Sequence, residues 1–275
     1  MPYSVANAAA PSVRECRVGA FAIGVDGVGI ATVIFDRPPV NAVSVGVYED
    51  LGRLVEHIEA SEDIRVVVLT AVPGARAWCG GADLNDFVGM TPERRKERYE
   101  FINTQLPKFY QVDRPVIAAI EGAAIGVGMI LAALCDMRVA ANDAKFACPE
   151  IDYGLVAGGG GLFVHLNMPI AKVREMAFTG QAFTARELEP TGFFNYVVAR
   201  DQVLPRAYEI ARRVAGKSLP AIRARKLTGV SLEPRSWMDV YLDAQSRSGL
   251  LVAGEDAEEG VRAFLDGRPA EYRDG

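Results

Sequence analysis

Three short stretches hold the residues that could do chemistry in this chain: Gly80-Gly81-Ala82-Asp83, Glu121 to Gly128 (EGAAIGVG) and Pro149 to Gly154 (PEIDYG). The middle one lies between a short apolar run, Val116 to Ile120, and an uncharged apolar segment, Val127 to Leu134. It reads as a buried strand, a glycine turn and the start of a buried helix. Glycines let such a turn take unusual dihedrals and approach a ligand closely, and the first N–H groups of the helix are left without intrahelical partners. The GGAD loop also follows a strand-like run, Arg65 to Thr70. Two loops of backbone donors with one carboxylate, Glu150, would suit removal of a proton from a carbon beside a carbonyl. Backbone N–H groups aimed at the carbonyl oxygen can supply about 3–4 kcal/mol each as charge develops on it. A carboxylate in an apolar pocket becomes a stronger base because burial raises its pKa. A thioester is the carbonyl best matched to such enolate chemistry.

The elements that must position these loops follow in chain order. Residues 1–17 read as a flexible lead-in. Phe21 to Val25 and Ile30 to Phe35 make a hairpin about Asp26 to Gly29. An extended Arg37-Pro38-Pro39 loop leads to Ser44, placed to cap a helix whose apolar residues Tyr48, Leu51, Leu54, Val55 and Ile58 keep helical spacing. Thr91-Pro92-Glu93 starts a long polar helix ending near Tyr110, and short strands are expected at Met137 to Ala140 and Lys145 to Ala147. The alternation is that of parallel crossover units, in which ligands collect at the carboxyl ends of strands. After Pro169 the pattern is helical, near 170–178, 184–189, 205–215, 220–230 and 256–265. The segment Ala207, Ile210, Ala211, Val214 offers one apolar face. The expected organisation is an α/β body over 18–200 and a helical part over 201–275.

Composition narrows the classes. With 275 residues, half hydrophobic and 24% charged, the chain is ordinary globular material, and a net charge of −5 gives no reason to expect nucleic acid or a membrane surface as partner. Cys16, Cys79, Cys135 and Cys148 show no metal-binding spacing, and His57 lies more than a hundred residues from His165, so neither a zinc site nor a histidine triad is expected. No signal peptide or long apolar run is seen, and a cytoplasmic protein is the default. Cys79 and Cys148 read as inert packing residues, Glu121 as a turn-structuring carboxylate and Asp83 as a loop cap. If residues 149–154 are extended, Glu150 and Asp152 share one face.

At these motifs the chain resembles the enoyl-CoA hydratase/isomerase family, the crotonase superfamily, over nearly its whole length. The matched segments are RPPVNAVS, IRVVVLT, AWCGGADL, AAIEGAAIGVGMILAALCDMRVAA, KFACPEIDYGLVAGGGG, GFFNYVV and GEDAEEGVRAFLDGRPAEY. The resemblance implies a crotonase-like spiral of ββα units with a helical C-terminal trimerisation part, homotrimers or dimers of trimers, and an acyl-CoA substrate. It implies no covalently bound cofactor, coenzyme A being part of the thioester. Ala82 and Val127 would supply the oxyanion N–H groups, Val127 standing where the family usually has glycine. Asn41 and Ala42, with Gly80, Gly81, Asp83 and Leu84 and with Gly126 of the second loop, would line the coenzyme A and acyl region, and Arg37 and Lys226 are candidates for its phosphates. Hydratases of the family use two glutamates, and here the first position is Ile130 while the second is Glu150. The aspartate of dienoyl isomerases is Gly158. One carboxylate can move a proton from C2 to C4, so Δ3,Δ2-enoyl-CoA isomerisation is favoured. A 2-enoyl-CoA hydratase or lyase with a different acid pair, and a non-catalytic acyl-CoA binder, are the alternatives.

Overall fold

The structure is a computed structural model that describes residues 14–158, 160–231, 239, 241–242, 245–246 and 254–271. The strands are β1 (Arg14–Val18), β2 (Phe21–Val25), β3 (Ile30–Phe35), β4 (Ala42–Val43), β5 (Val66–Ala71), β6 (Ala77–Cys79), β7 (Gly81–Ala82), β8 (Val116–Ile120), β9 (Ala123–Ile125), β10 (Met137–Ala141), β11 (Lys145–Ala147), β12 (Phe183–Thr184) and β13 (Tyr196–Val198). The helices are α1 (Val45–Ala60), α2 (Pro92–Tyr110), α3 (Val127–Leu134), α4 (Gly161–Asn167), α5 (Ile170–Thr179), α6 (Ala185–Leu188), α7 (Val203–Ala215), α8 (Leu219–Ser231) and α9 (Glu255–Leu265).

The larger sheet runs β1-β2-β3-β5-β8-β10-β13, antiparallel as far as β3 and parallel beyond it. Its central strands are apolar on both faces, and Val67, Val68, Ile117, Ala118, Val139 and Ala140 are all buried. That is the continuous pattern of a strand covered on both sides. After each of β5, β8 and β10 the chain gives a second short strand, β6, β9 or β11, to a smaller sheet of order β12-β11-β9-β6. A helix follows each pair, so the repeating unit is ββα, and the crotonase-like fold is the observed one.

The short strands β6, β7 and β9 occupy what the sequence reads as glycine loops. Two or three residues carry no periodicity, and only pairing with distant segments makes them strands: β6 with β9, β9 with β11, and β7 with β4. The lead-in is also corrected. Arg14–Val18 is a strand paired along its length with β2, and residues 1–13 lie outside the described part. Thr91 caps α2 as expected, accepting a bond from the N–H of Arg94. Ser44 stands at the N-cap of α1, but its side chain makes no capping bond. The expected boundary near residue 200 does not interrupt the core: α7 packs on β5, β8 and β10 through Val203, Ala207, Ala211 and Ala215, a stripe of four-residue spacing. The stretch around Trp237 to Leu250 lies mostly outside the described residues. Among the described residues no helix is long and apolar enough to cross a membrane.

Candidate active site

The turn between β9 and α3 is fixed by backbone geometry. Gly126 sits at φ 52°, ψ −112°, a conformation open to glycine and costly for other residues, and its N–H donates to Ala147 O at 2.9 Å. The first helical bond of α3 runs from the Ile130 N–H to Gly126 O, 3.1 Å. Val127 is therefore the first helical residue, and its N–H has no intrahelical acceptor. Gly128 lets this first turn lie directly on β6, because a Cβ there would run into Cys79 O. Gly128→Ala must push α3 away from β6, and we expect a loss of about 1–3 kcal/mol of stability, the cost of overpacking, read as a lower melting temperature.

The other donor loop is held by β4. The Asp83 N–H donates to Val43 O at 3.0 Å, and Val43 is the register partner of Ala82. Successive N–H groups of a strand face opposite sides, so the Ala82 N–H is turned away from β4. Ala82 and Val127 both line the same cavity. Asp83 serves as the expected cap: it accepts from the Asn85 N–H at 3.2 Å and from Arg37 at 2.8 Å. The hydrogen bond from Arg37 is the main cause holding its carboxyl below the usual range.

Asn41 is not on the cavity wall. It is buried in the left-handed region at φ 54°, accepts from the Arg37 N–H at 2.8 Å and donates to Phe35 O and Trp78 O, both at 3.2 Å. Its role is to tie the Pro38-Pro39 loop to the ends of β3 and β6. Lys226 is likewise corrected: its ammonium is buried and paired with Asp136 at 2.7 Å. Arg37 does reach the cavity but is held by Asp83 and by Ala42 O.

Residues Pro149–Tyr153 form a turn of 3-10 helix rather than a strand, closed by Gly154 at φ 62°. In that helix residues three apart share a face. Glu150 therefore shares the cavity with Tyr153, while Asp152 turns away and packs against Gly180. Glu150 Oε1 lies 3.0 Å from where a Cβ on Gly126 would stand, directly over the Gly126–Val127 turn. Desolvation by burial raises its pKa to about 7, opposed in part by a hydrogen bond from its own N–H. Helix α9 covers this turn: Gly260 lets it pack on the Tyr153 backbone, and Tyr153 meets Phe264 edge-on at 5.4 Å.

The cavity has a volume of about 470 Å³ and brings together Ala42, Gly80, Gly81, Ala82, Asp83, Leu84, Gly126, Val127 and Glu150. Ile130 is also on its wall, 6% exposed. Cys79 and Cys148 are buried with thiols pushed up by desolvation, Cys79 to about 12, in keeping with packing roles. Glu121 lies outside the cavity, and its carboxyl is raised by partial burial against the pull of Arg200. Polar residues of the wall that escape the sequence reading include Asn85, Arg95, Arg98, Tyr99 and Gln245. On a polar helix such as α2 arginines read as solvated; the available signal was their three-residue spacing beside Tyr99.

The sequence model of the enoyl-CoA hydratase/isomerase family matches residues 26–275. The chain is 31% identical over 252 residues to carnitinyl-CoA dehydratase of Proteus mirabilis, covering 89% of this chain and 95% of that protein. It is 32% identical over 236 residues to 2,3-dehydroadipyl-CoA hydratase of Escherichia coli, covering 81% and 88%. The crystal structure of an enoyl-CoA hydratase/isomerase from Mycobacterium paratuberculosis superposes with a TM-score of 0.78 at 25% identity, covering 88% of this chain and 97% of that one. A match across nearly the whole chain, on a ββα fold with two donor loops and a half-buried glutamate in one cavity, makes this chain a member of the enoyl-CoA hydratase/isomerase family of acyl-CoA enzymes, within the crotonase superfamily.

Proposed function

We propose that the chain catalyses Δ3,Δ2-enoyl-CoA isomerisation with Glu150 as the single proton carrier. The observation that carries this is the pairing of Glu150, raised to about 7 by burial, with Ile130 at the position where a second glutamate would stand. Ile130 cannot accept or donate a proton, and it packs against Gly160, where a Cβ would come within 2.9 Å of its side chain. In the reaction the Glu150 carboxylate takes a proton from C2 of a 3-enoyl thioester. The electron pair moves onto the thioester oxygen as a dienolate, held by the N–H groups of Ala82 and Val127. The same proton then returns at C4, leaving the double bond between C2 and C3. Ala42, Gly80, Gly81 and Leu84 would flank the pantetheine, and the enzyme would assemble as a homotrimer or dimer of trimers.

Hydration or dehydration is the second reading, and the names of the relatives favour it, both being a hydratase or dehydratase. It needs a second acid or a water held by Glu150 alone. The two are separated by giving the enzyme 3-hexenoyl-CoA and 2-hexenoyl-CoA. Isomerisation makes the conjugated thioester absorbance rise with the first; hydration makes it fall with the second. Faster turnover of the 2-enoyl than of the 3-enoyl thioester would overturn the isomerase reading.

The pH dependence has a definite sign. The base works ionised, so kcat/KM should climb with pH to half its plateau near 7, and to about one hundredth of the plateau two units below, since each unit below the pKa leaves tenfold less carboxylate. A profile flat between pH 5 and 8 would remove Glu150 from this role.

A further inference from the structure

The two oxyanion donors are not held equally well. Val127 sits at the start of a packed helix, whereas Ala82 belongs to a strand of two residues. Strands β4 and β7 form a sheet of their own, Gly81 paired with Ala42 and Ala82 with Val43. Even a full two-stranded ribbon is marginally stable by itself, yet a catalytic donor has to be held within about 0.5 Å of its productive place. Something besides the backbone ladder must fix this strand.

Arg37 crosses the ribbon. Its own N–H is bonded to the buried Asn41 at 2.8 Å, and Pro38 and Pro39 stiffen the chain just beyond it. From that anchor one arm of the guanidinium donates to Ala42 O at 2.7 Å and the other to the Asp83 carboxylate at 2.8 Å. Ala42 lies in β4 and Asp83 follows Ala82 directly, so one planar group grips both strands beside the donor. A guanidinium offers its donors in a rigid fork, and bonds of this charged kind are the stronger class. The side chains are 35% and 16% exposed, so the pair is less weakened by solvent than one on the open surface. Further along, Asp86 accepts from Arg98 of α2 at 2.7 Å and from the Val45 N–H at 3.2 Å, which fastens the next turn and leaves Arg37 as the tie on the strand itself.

We propose that Arg37 is a positioning residue of this enzyme: by bridging Ala42 O and Asp83 it sets the aim of the Ala82 N–H at the thioester oxygen, without touching the reacting atoms. The inference rests on the reading of Ala82 as an oxyanion donor given above. It applies to any reaction that builds charge on that oxygen, isomerisation or hydration alike. Arg37 is then a cation spent on the protein rather than on a coenzyme phosphate, and the two roles make opposite predictions for Asp83. A clamp loses its grip when Asp83 is neutralised, whereas a phosphate site gains from the loss of a negative charge.

The test reads the donor without requiring turnover. Hexanoyl-CoA carrying 13C at its thioester carbonyl has no double bond to move, and isotope-edited infrared spectroscopy shows how far the bound carbonyl stretch drops below its value in water. Arg37→Gln should lose part of the drop seen with the wild type, the Val127 donor keeping the rest, and Arg37→Lys should recover some of it. Asp83→Asn, which can still accept from the Asn85 N–H, should lose as much as Arg37→Gln. The double variant should lose no more than either single one, as two halves of one contact must. Thermal melting confirms that each variant is folded, and Asp83→Asn carries the test if Arg37→Gln is not. In turnover kcat should fall by up to about 10²-fold, the cost of a donor misplaced by about 1 Å, with KM little changed, and equally on a CoA thioester and on the matching pantetheine thioester. A full drop in folded, saturated Arg37→Gln overturns the proposal, as does a loss confined to KM for the CoA thioester with Asp83→Asn binding it more tightly. No drop in the wild type would remove the oxyanion reading itself, and the clamp with it. Turnover of 3-hexenoyl-CoA against 2-hexenoyl-CoA decides the isomerase reading separately, since the infrared result is the same for either reaction.

Discussion

Glu150→Gln should lower kcat/KM on the reactive enoyl thioester by about 10² to 10⁴-fold, the range that a positioned general base contributes. At 1.36 kcal/mol per factor of ten this is roughly 3–5 kcal/mol of transition-state stabilisation. The substitution keeps the size and the hydrogen-bonding atoms of the side chain and removes only its capacity to take a proton. The protein fold should tolerate it well: Glu150 is raised to about 7 by burial, so a neutral amide suits the site at least as comfortably as a carboxylate does. The melting temperature is therefore expected to hold or rise, acyl-CoA binding to persist, and the climb of activity through pH 7 to disappear. A variant with wild-type kcat would show that the proton moves through some other group. A variant that binds no acyl-CoA would show that the carboxylate holds the site together instead.

The second large effect is expected from Val127→Pro. Proline is favoured at the first position of a helix, where the missing N–H has no intrahelical acceptor to lose. Val127 is that position in α3. The residue before a proline must stay out of the α region, and Gly126 at ψ −112° already does. The variant thus deletes one backbone donor from the cavity wall at little cost to the helix. Loss of one donor to a developing oxyanion is worth about 10²–10³ in kcat, so kcat should fall by that factor while the far-ultraviolet spectrum stays as it was. Val127→Ala keeps the N–H and should fall far less. If the two variants lose activity equally, the side chain of Val127 matters rather than its backbone, and the oxyanion assignment fails. Because donor loss is felt mainly as charge develops, kcat should suffer more than KM.

The two predictions use different parts of the molecule, and they were not equally visible in the chain. The long elements, α1, α2, α3, β5 and β8, follow from apolar periodicity, from continuous β-type runs and from the Thr91-Pro92 start, and their limits fall within a residue or two of expectation. The donor loops and Glu150 were legible as well, because glycine clusters directly after buried strands have a mechanical reason to exist.

What stayed hidden was hidden for a physical reason. The strands β6, β7 and β9 are only two or three residues long, AWC, GA and AAI, and are stable only through partners far away in sequence. The turn at Pro149–Tyr153 is 3-10 helix, which changes which side chain joins Glu150 in the cavity from Asp152 to Tyr153. Asn41 and Lys226 have the residue types of ligand-binding groups, but packing closes both off, one under three backbone carbonyls and the other on Asp136. Arg95 and Arg98 belong to a helix that reads as polar and solvated, and they become buried only because the chamber forms around α2. The chain by itself determined the order of the long strands and helices, the donor loops and the one glutamate, since these depend on local backbone freedom and on periodic burial. Which polar side chains end up facing the substrate was decided by tertiary packing alone, because burial of a long charged side chain depends on what the rest of the molecule places over it.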